Sequence, residues 1–87
     1  MAVCAGVGRA VMQTIAYRTT TAVKLRSWPG LPELGQPDNF VRSLPAGTNV
    51  SVCEWLFVFD GTRTWYYVVG KDYNGWVAGE YLIVIAQ

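Results

Sequence analysis

The sequence has no histidine, only two cysteines, few charges and no long apolar run. Without histidine there is no imidazole base for a serine or cysteine nucleophile, and no Cys/His zinc site can be built. Cys4 and Cys53 are far apart and follow no metal-ligand spacing. A long-range disulfide is open to them, and two reduced thiols is the more economical expectation. Charged residues make up 15% of the chain, against roughly 25% in an ordinary soluble domain. The net charge of +1 is spread without a basic stripe, which leaves no electrostatic footprint for nucleic acid or an anionic membrane. No apolar run approaches the roughly 18 residues that span a bilayer, so membrane insertion is not expected. The first 18 residues lack a basic start before their apolar part, and Arg9 interrupts it. They do not resemble a secretory signal, and synthesis in a cytoplasm is expected, with the final site left open and a virion or a multi-protein complex among the options.

What is present favours strands. The 87 residues suffice for one domain with a modest core, and 52% are hydrophobic, with Val, Trp, Tyr, Phe and Ile prominent. Nine glycines and four prolines supply turns. Residues 1–16 read as an N-terminal arm or docking segment: Val3, Val7, Val11 and Ile15 recur every four residues, but Gly6 and Gly8 oppose a helix. From Tyr17 onward the chain reads as the domain proper, residues 17–87. Val23 and Leu25 alternate with Lys24 and Arg26, which places the apolar pair on one face. Three prolines and two glycines in residues 27–39 predict a long loop. Strands are predicted over Phe40–Leu44, Asn49–Phe59, Thr64–Val69, Trp76–Ala78 and Leu82–Ala86. Turns are expected at Pro45–Thr48, at Asp60–Thr62 and at Lys71–Gly75, where Asn74-Gly75 is the strongest hairpin signal. Gly79–Tyr81 fits one 3₁₀ turn. The expected fold is all-β, a small barrel of five to six short strands with a 3₁₀ turn before the last. That last strand, Leu82–Ala86, is apolar on both faces and has to be covered, by the N-terminal arm or by a neighbouring chain.

Four segments, in order, resemble the bacterial SH3 (SH3b-like) domain over about residues 20–82. They are Val23-Lys24-Leu25-Arg26-Ser27-Trp28-Pro29, the run from Phe40 to Val52 with its Leu44 and Gly47, Trp65-Tyr66-Tyr67-Val68, and Asn74-Gly75-Trp76-Val77 leading to Tyr81-Leu82. The resemblance implies an SH3-like barrel that binds a peptide or protein partner, with peptidoglycan peptide as one candidate. It implies ligand contacts from Trp65 and Tyr81 in an aromatic groove between the long loop and the loop before the Trp65 strand, with Trp28 as a further wall. In the cell-wall version Asn39, Tyr73 and Asn74 are added. The long loop offers only Glu33 and Asp38, too few acids to catch an arginine-containing peptide. Tyr67 and Trp76 are expected to be structural.

No catalytic residues, metal ligands or cofactors are expected: most carboxylates fall in predicted turns, where Asp is favoured for backbone reasons. Gly6-Val7-Gly8 loosely echoes a dinucleotide loop but lacks the βαβ context. The alternative function is a structural subunit of a larger assembly, a phage virion or a multi-protein complex, docking as a homo- or hetero-oligomer through its surface and N-terminal arm.

Overall fold

The computed structural model describes residues 14–86, with backbone alone at 54, 55 and 86. The expectation for an N-terminal arm over residues 1–16 therefore lies outside the described residues, apart from Thr14 and from Ile15 and Ala16, which begin the first strand. The fold is all-β. Seven strands form one antiparallel sheet: β1 (Ile15–Thr19), β2 (Val23–Arg26), β3 (Phe40–Leu44), β4 (Asn49–Phe59), β5 (Thr64–Val69), β6 (Asn74–Ala78) and β7 (Leu82–Ala86). A 3₁₀ turn, Gly79–Tyr81, precedes β7 as the sequence predicts. Among the described residues no helix is long and apolar enough to cross a membrane.

The strand order is β3-β2-β6-β5-β4-β1-β7. Two features differ from expectation. There are seven strands among the described residues, because Ile15–Thr19 form a strand of their own, β1, which pairs with β4 and β7, separated by Thr20–Ala22 from β2, which pairs with β3 and β6. The barrel is also not closed: among the described residues β3 and β7 are the two edges of the sheet, and no ladder joins them. Four of the five β3 residues are exposed, Phe40 and Val41 among them, so this edge is left uncovered by the sheet.

Period-2 alternation builds the core. Val23 and Leu25 of β2, Val50 and Val52 of β4, Val68, Val77, Leu44 and Leu82 form one buried cluster, with Tyr17, Tyr66, Tyr73 and Tyr81 packed against it. Tyr67 and Trp76 are cross-strand partners, their rings edge-to-face at 5.4 Å. One buried polar residue ties the sheet together. The Thr19 hydroxyl donates to the Pro45 carbonyl at 2.8 Å and accepts the Thr48 N–H at 2.9 Å, which fastens β1 to the β3–β4 turn.

The β5–β6 connection corrects the hairpin expectation. Asn74 and Gly75 are strand residues, and the turn is Gly70–Tyr73, closed by the Gly70 N–H donating to the Tyr73 carbonyl at 2.8 Å. Gly75 serves close approach instead. A Cβ there would sit 2.7 Å from the Arg26 carbonyl oxygen and 2.9 Å from Leu25 Cγ, so a side chain would push β6 off β2. At Gly70 the same logic admits the Tyr73 ring, which occupies the space a Cβ would need.

Cys53 is fully buried on β4 and is disulfide-bonded, which corrects the economical expectation of two reduced thiols. The chain's other cysteine, Cys4, lies outside the described residues.

Candidate functional site

The long loop, the β4–β5 turn and the 3₁₀ turn meet around an open cleft of about 400 Å³. Its residues arrive from several elements. Val23, Lys24 and Arg26 come from β2, Leu31 from the long loop, Arg63 from the β4–β5 turn, Trp65 from the start of β5, Ala78 from the end of β6, and Tyr81 from the 3₁₀ turn; Thr21 and Ala22 of the β1–β2 link complete it. Alternation explains the β2 contribution. With Val23 and Leu25 facing the core, Lys24 and Arg26 share the other face, and both reach the cleft, with Val23 at its margin.

The long loop is held by side chains. Asn39 is buried and fully engaged: its Oδ1 accepts from Arg26 Nη1 at 2.7 Å, and its Nδ2 donates to the Trp28 and Gly30 carbonyls at 2.9 and 3.0 Å. Farther along, the Glu33 N–H donates to Gln36 Oε1 and the Gln36 N–H to the Glu33 carbonyl, making a local turn. A loop rich in proline and glycine thus gains a fixed path without strand ladders.

Behind the cleft lining, Asp60 organises the turn before β5. Its Oδ1 accepts the Thr62 and Arg63 N–H groups at 2.8 and 2.9 Å, and its Oδ2 accepts Trp65 Nε1–H at 2.8 Å. The Arg63 backbone bond, then the Trp65 bond, then the Thr62 bond lower its pKa to about 2, because each favours the ionised carboxylate. Asp60 therefore orients the tryptophan ring as well as closing the turn. Trp65 is only 2% exposed and Arg63 lies over its ring at 6.0 Å, so the indole forms a floor rather than a projecting wall.

The structure divides the six expected ligand residues among three places. Trp65 and Tyr81 meet in the cleft. Trp28 and Asn39 belong to the loop framework: the Trp28 carbonyl is held by Asn39, and neither side chain lines the cleft. Tyr73 and Asn74 line a separate shallow recess with Val41, Arg42 and Asp72. There Arg42 lies over the Tyr73 ring at 5.1 Å and pairs with Asp72 at 3.4 Å, while burial raises the Tyr73 pKa. Sequence reasoning missed the cleft cations Lys24, Arg26 and Arg63. Alternation places Lys24 and Arg26 on one face, but nothing in the sequence marks that face as the base of a cleft.

Among the described residues no group of three or more His, Cys, Asp or Glu side chains could hold a metal ion. No protein-family model matches this sequence, and no curated protein or solved structure matches it.

Proposed function

We propose that this protein is a non-catalytic, SH3-like interaction module that binds a peptide or protein partner, including cell-wall peptide, in the cleft between the long loop and the β4–β5 turn. The observation that carries this reading is the meeting of Trp65, Tyr81 and Leu31 around one open cleft. Aromatic and aliphatic walls suit an extended chain that loses little entropy on docking, and a groove at this place matches the resemblance to the bacterial SH3 domain. The reading is tested by titrating isotope-labelled protein with a proline-rich peptide and by retention on purified peptidoglycan. Binding should shift the Tyr81 and Leu31 resonances, and Tyr81→Ala should remove it while the fold survives. Failure of every extended peptide and of peptidoglycan to perturb the cleft would sink the reading.

One feature favours the alternative, a structural subunit of a phage virion or multi-protein complex. On the β7 edge Ile83 is 50% exposed and Val84 45% exposed, and at the end of β4 Phe59 is 62% exposed. Apolar strand surface of this extent is what a subunit buries against neighbours. An assembly subunit should self-associate when purified alone, and Tyr81→Ala should leave that association unchanged.

A further inference from the structure

Arg26 is a buried cation with too few partners. The residue is 9% exposed, and its guanidinium carries five N–H donors. Among the described residues one side-chain hydrogen bond engages it, from Nη1 to Asn39 Oδ1. The nearest carboxylate oxygen, Asp38 Oδ1, is 4.0 Å away on a side chain that is 72% exposed, and that oxygen already accepts the Phe40 N–H at 3.2 Å. A largely desolvated charge left in this state is costly unless another acceptor reaches it. Arg26 lines the open cleft, so an acceptor can come from there.

The rest of the cleft has the same polarity. Lys24 and Arg63 line it with Arg26, and no carboxylate does. Arg63 has Glu80 at 3.4 Å, outside the lining, and Lys24 leans over the Phe40 ring at 5.9 Å. Beside these cations stand the apolar surfaces of Tyr81 and Leu31, above the buried Trp65 ring. A ligand complementary to both must carry negative charge and apolar side chains together. An acidic peptide does, whereas a sulfated polysaccharide offers charge with little apolar surface. The planar guanidinium also fits a carboxylate through two parallel N–H···O bonds, which an ammonium group cannot match.

We propose that the cleft binds an acidic peptide segment of a partner protein, with Arg26 anchoring one of its carboxylates. This rests on the reading of the cleft as a peptide site. The test uses the whole chain and three matched, fluorescein-labelled peptides of proline and leucine spaced by glutamate, glutamine or lysine, with heparin as a polysaccharide control. Affinity is read by anisotropy and the Arg26 side-chain Nε–H resonance by NMR. The glutamate peptide should bind at least about tenfold more tightly than the glutamine one, more weakly with added salt, and should shift the Arg26 resonance. Arg26→Lys should erase most of that preference while binding of the glutamine peptide persists. Should Arg26→Lys disturb the loop through Asn39, Lys24→Gln, on an exposed residue, should still reduce the preference. Equal binding of the glutamate and glutamine peptides would overturn the acidic ligand and leave the peptide site standing. Preference for the lysine peptide, or binding of heparin alone, would also overturn it. No binding of any peptide to folded protein would remove the peptide site itself.

Discussion

The cleft side of the molecule and its apolar rim use the same kinds of strand in opposite ways. Around the cleft, side chains are fixed by specific partners. Asn39 clamps the long loop, Asp60 holds the Trp65 ring, and Gly75 lets β6 lie against β2. Along β7 and the end of β4, large side chains stand exposed, as at Ile83, Val84, Phe57 and Phe59. The first region gains its shape from interactions within the chain. The second has apolar surface in search of a neighbour. Exposure of aromatic residues alone would therefore point to the rim, whereas convergence of charge and aromatic surface points to the cleft.

The contrast can be broken where the cleft side is most constrained. Gly75→Ala places a Cβ against the Arg26 carbonyl and Leu25, and is expected to cost about 3 kcal/mol in urea unfolding. It should also displace Arg26. A stability equal to that of the parent would show that β6 and β2 can separate freely. Thr19→Val keeps the shape of the side chain but removes the acceptor of the part-buried Thr48 N–H, and a loss of about 1–2 kcal/mol is expected by the same measurement.

The Asp60 turn is tested by acid. Its folded pKa of about 2 lies below the ordinary 3.8, so ionised Asp60 contributes stability that is present above about pH 4 and lost as the pH falls toward 2. Asp60→Asn should lower the melting temperature at neutral pH, and the two melting curves should converge near pH 2. The turn is at the surface, so the effect should be smaller than at Gly75 or Thr19. A gap that stays constant over this range would mean that the carboxylate's charge has no part in holding Trp65. The smallest effect is expected on the rim. Ile83→Thr and Phe59→Thr retain strand-compatible side chains at exposed sites, and unfolding free energy should stay within about 0.5 kcal/mol of the parent. Sedimentation velocity on the same variants asks whether the rim drives self-association. If it does, both variants should shift the population toward monomer.

Much of the strand plan was legible because alternation and turn residues act locally. Val23 and Leu25 had to share a face, Pro45–Thr48 and Asp60–Thr62 had to turn, and Gly79–Tyr81 was recognisable as a 3₁₀ turn. The Asn74-Gly75 signal misled because glycine meets two different needs. A tight turn and a close backbone approach both favour it, and only the position of β2 shows which applies. The candidate site was half legible. Trp65 and Tyr81 converge in one cleft, whereas the Asn39 side chain is bound to Arg26 of β2 and to the loop carbonyls of Trp28 and Gly30. Cation placement was not legible, because Arg26 and Arg63 come from different hairpins.

By itself the sequence determined an all-β chain without histidine chemistry, the places where it turns, and which residues alternate inward. These follow from backbone preferences and side-chain period, which act between near neighbours. The tertiary structure decided that the sheet stays open, that Cys53 is bonded, and that Trp65 is a covered floor rather than a wall. It also decided that Arg26 reaches the cleft nearly buried and underpaired. Those outcomes depend on which surfaces meet across the sheet, and burial and charge compensation are set by that meeting.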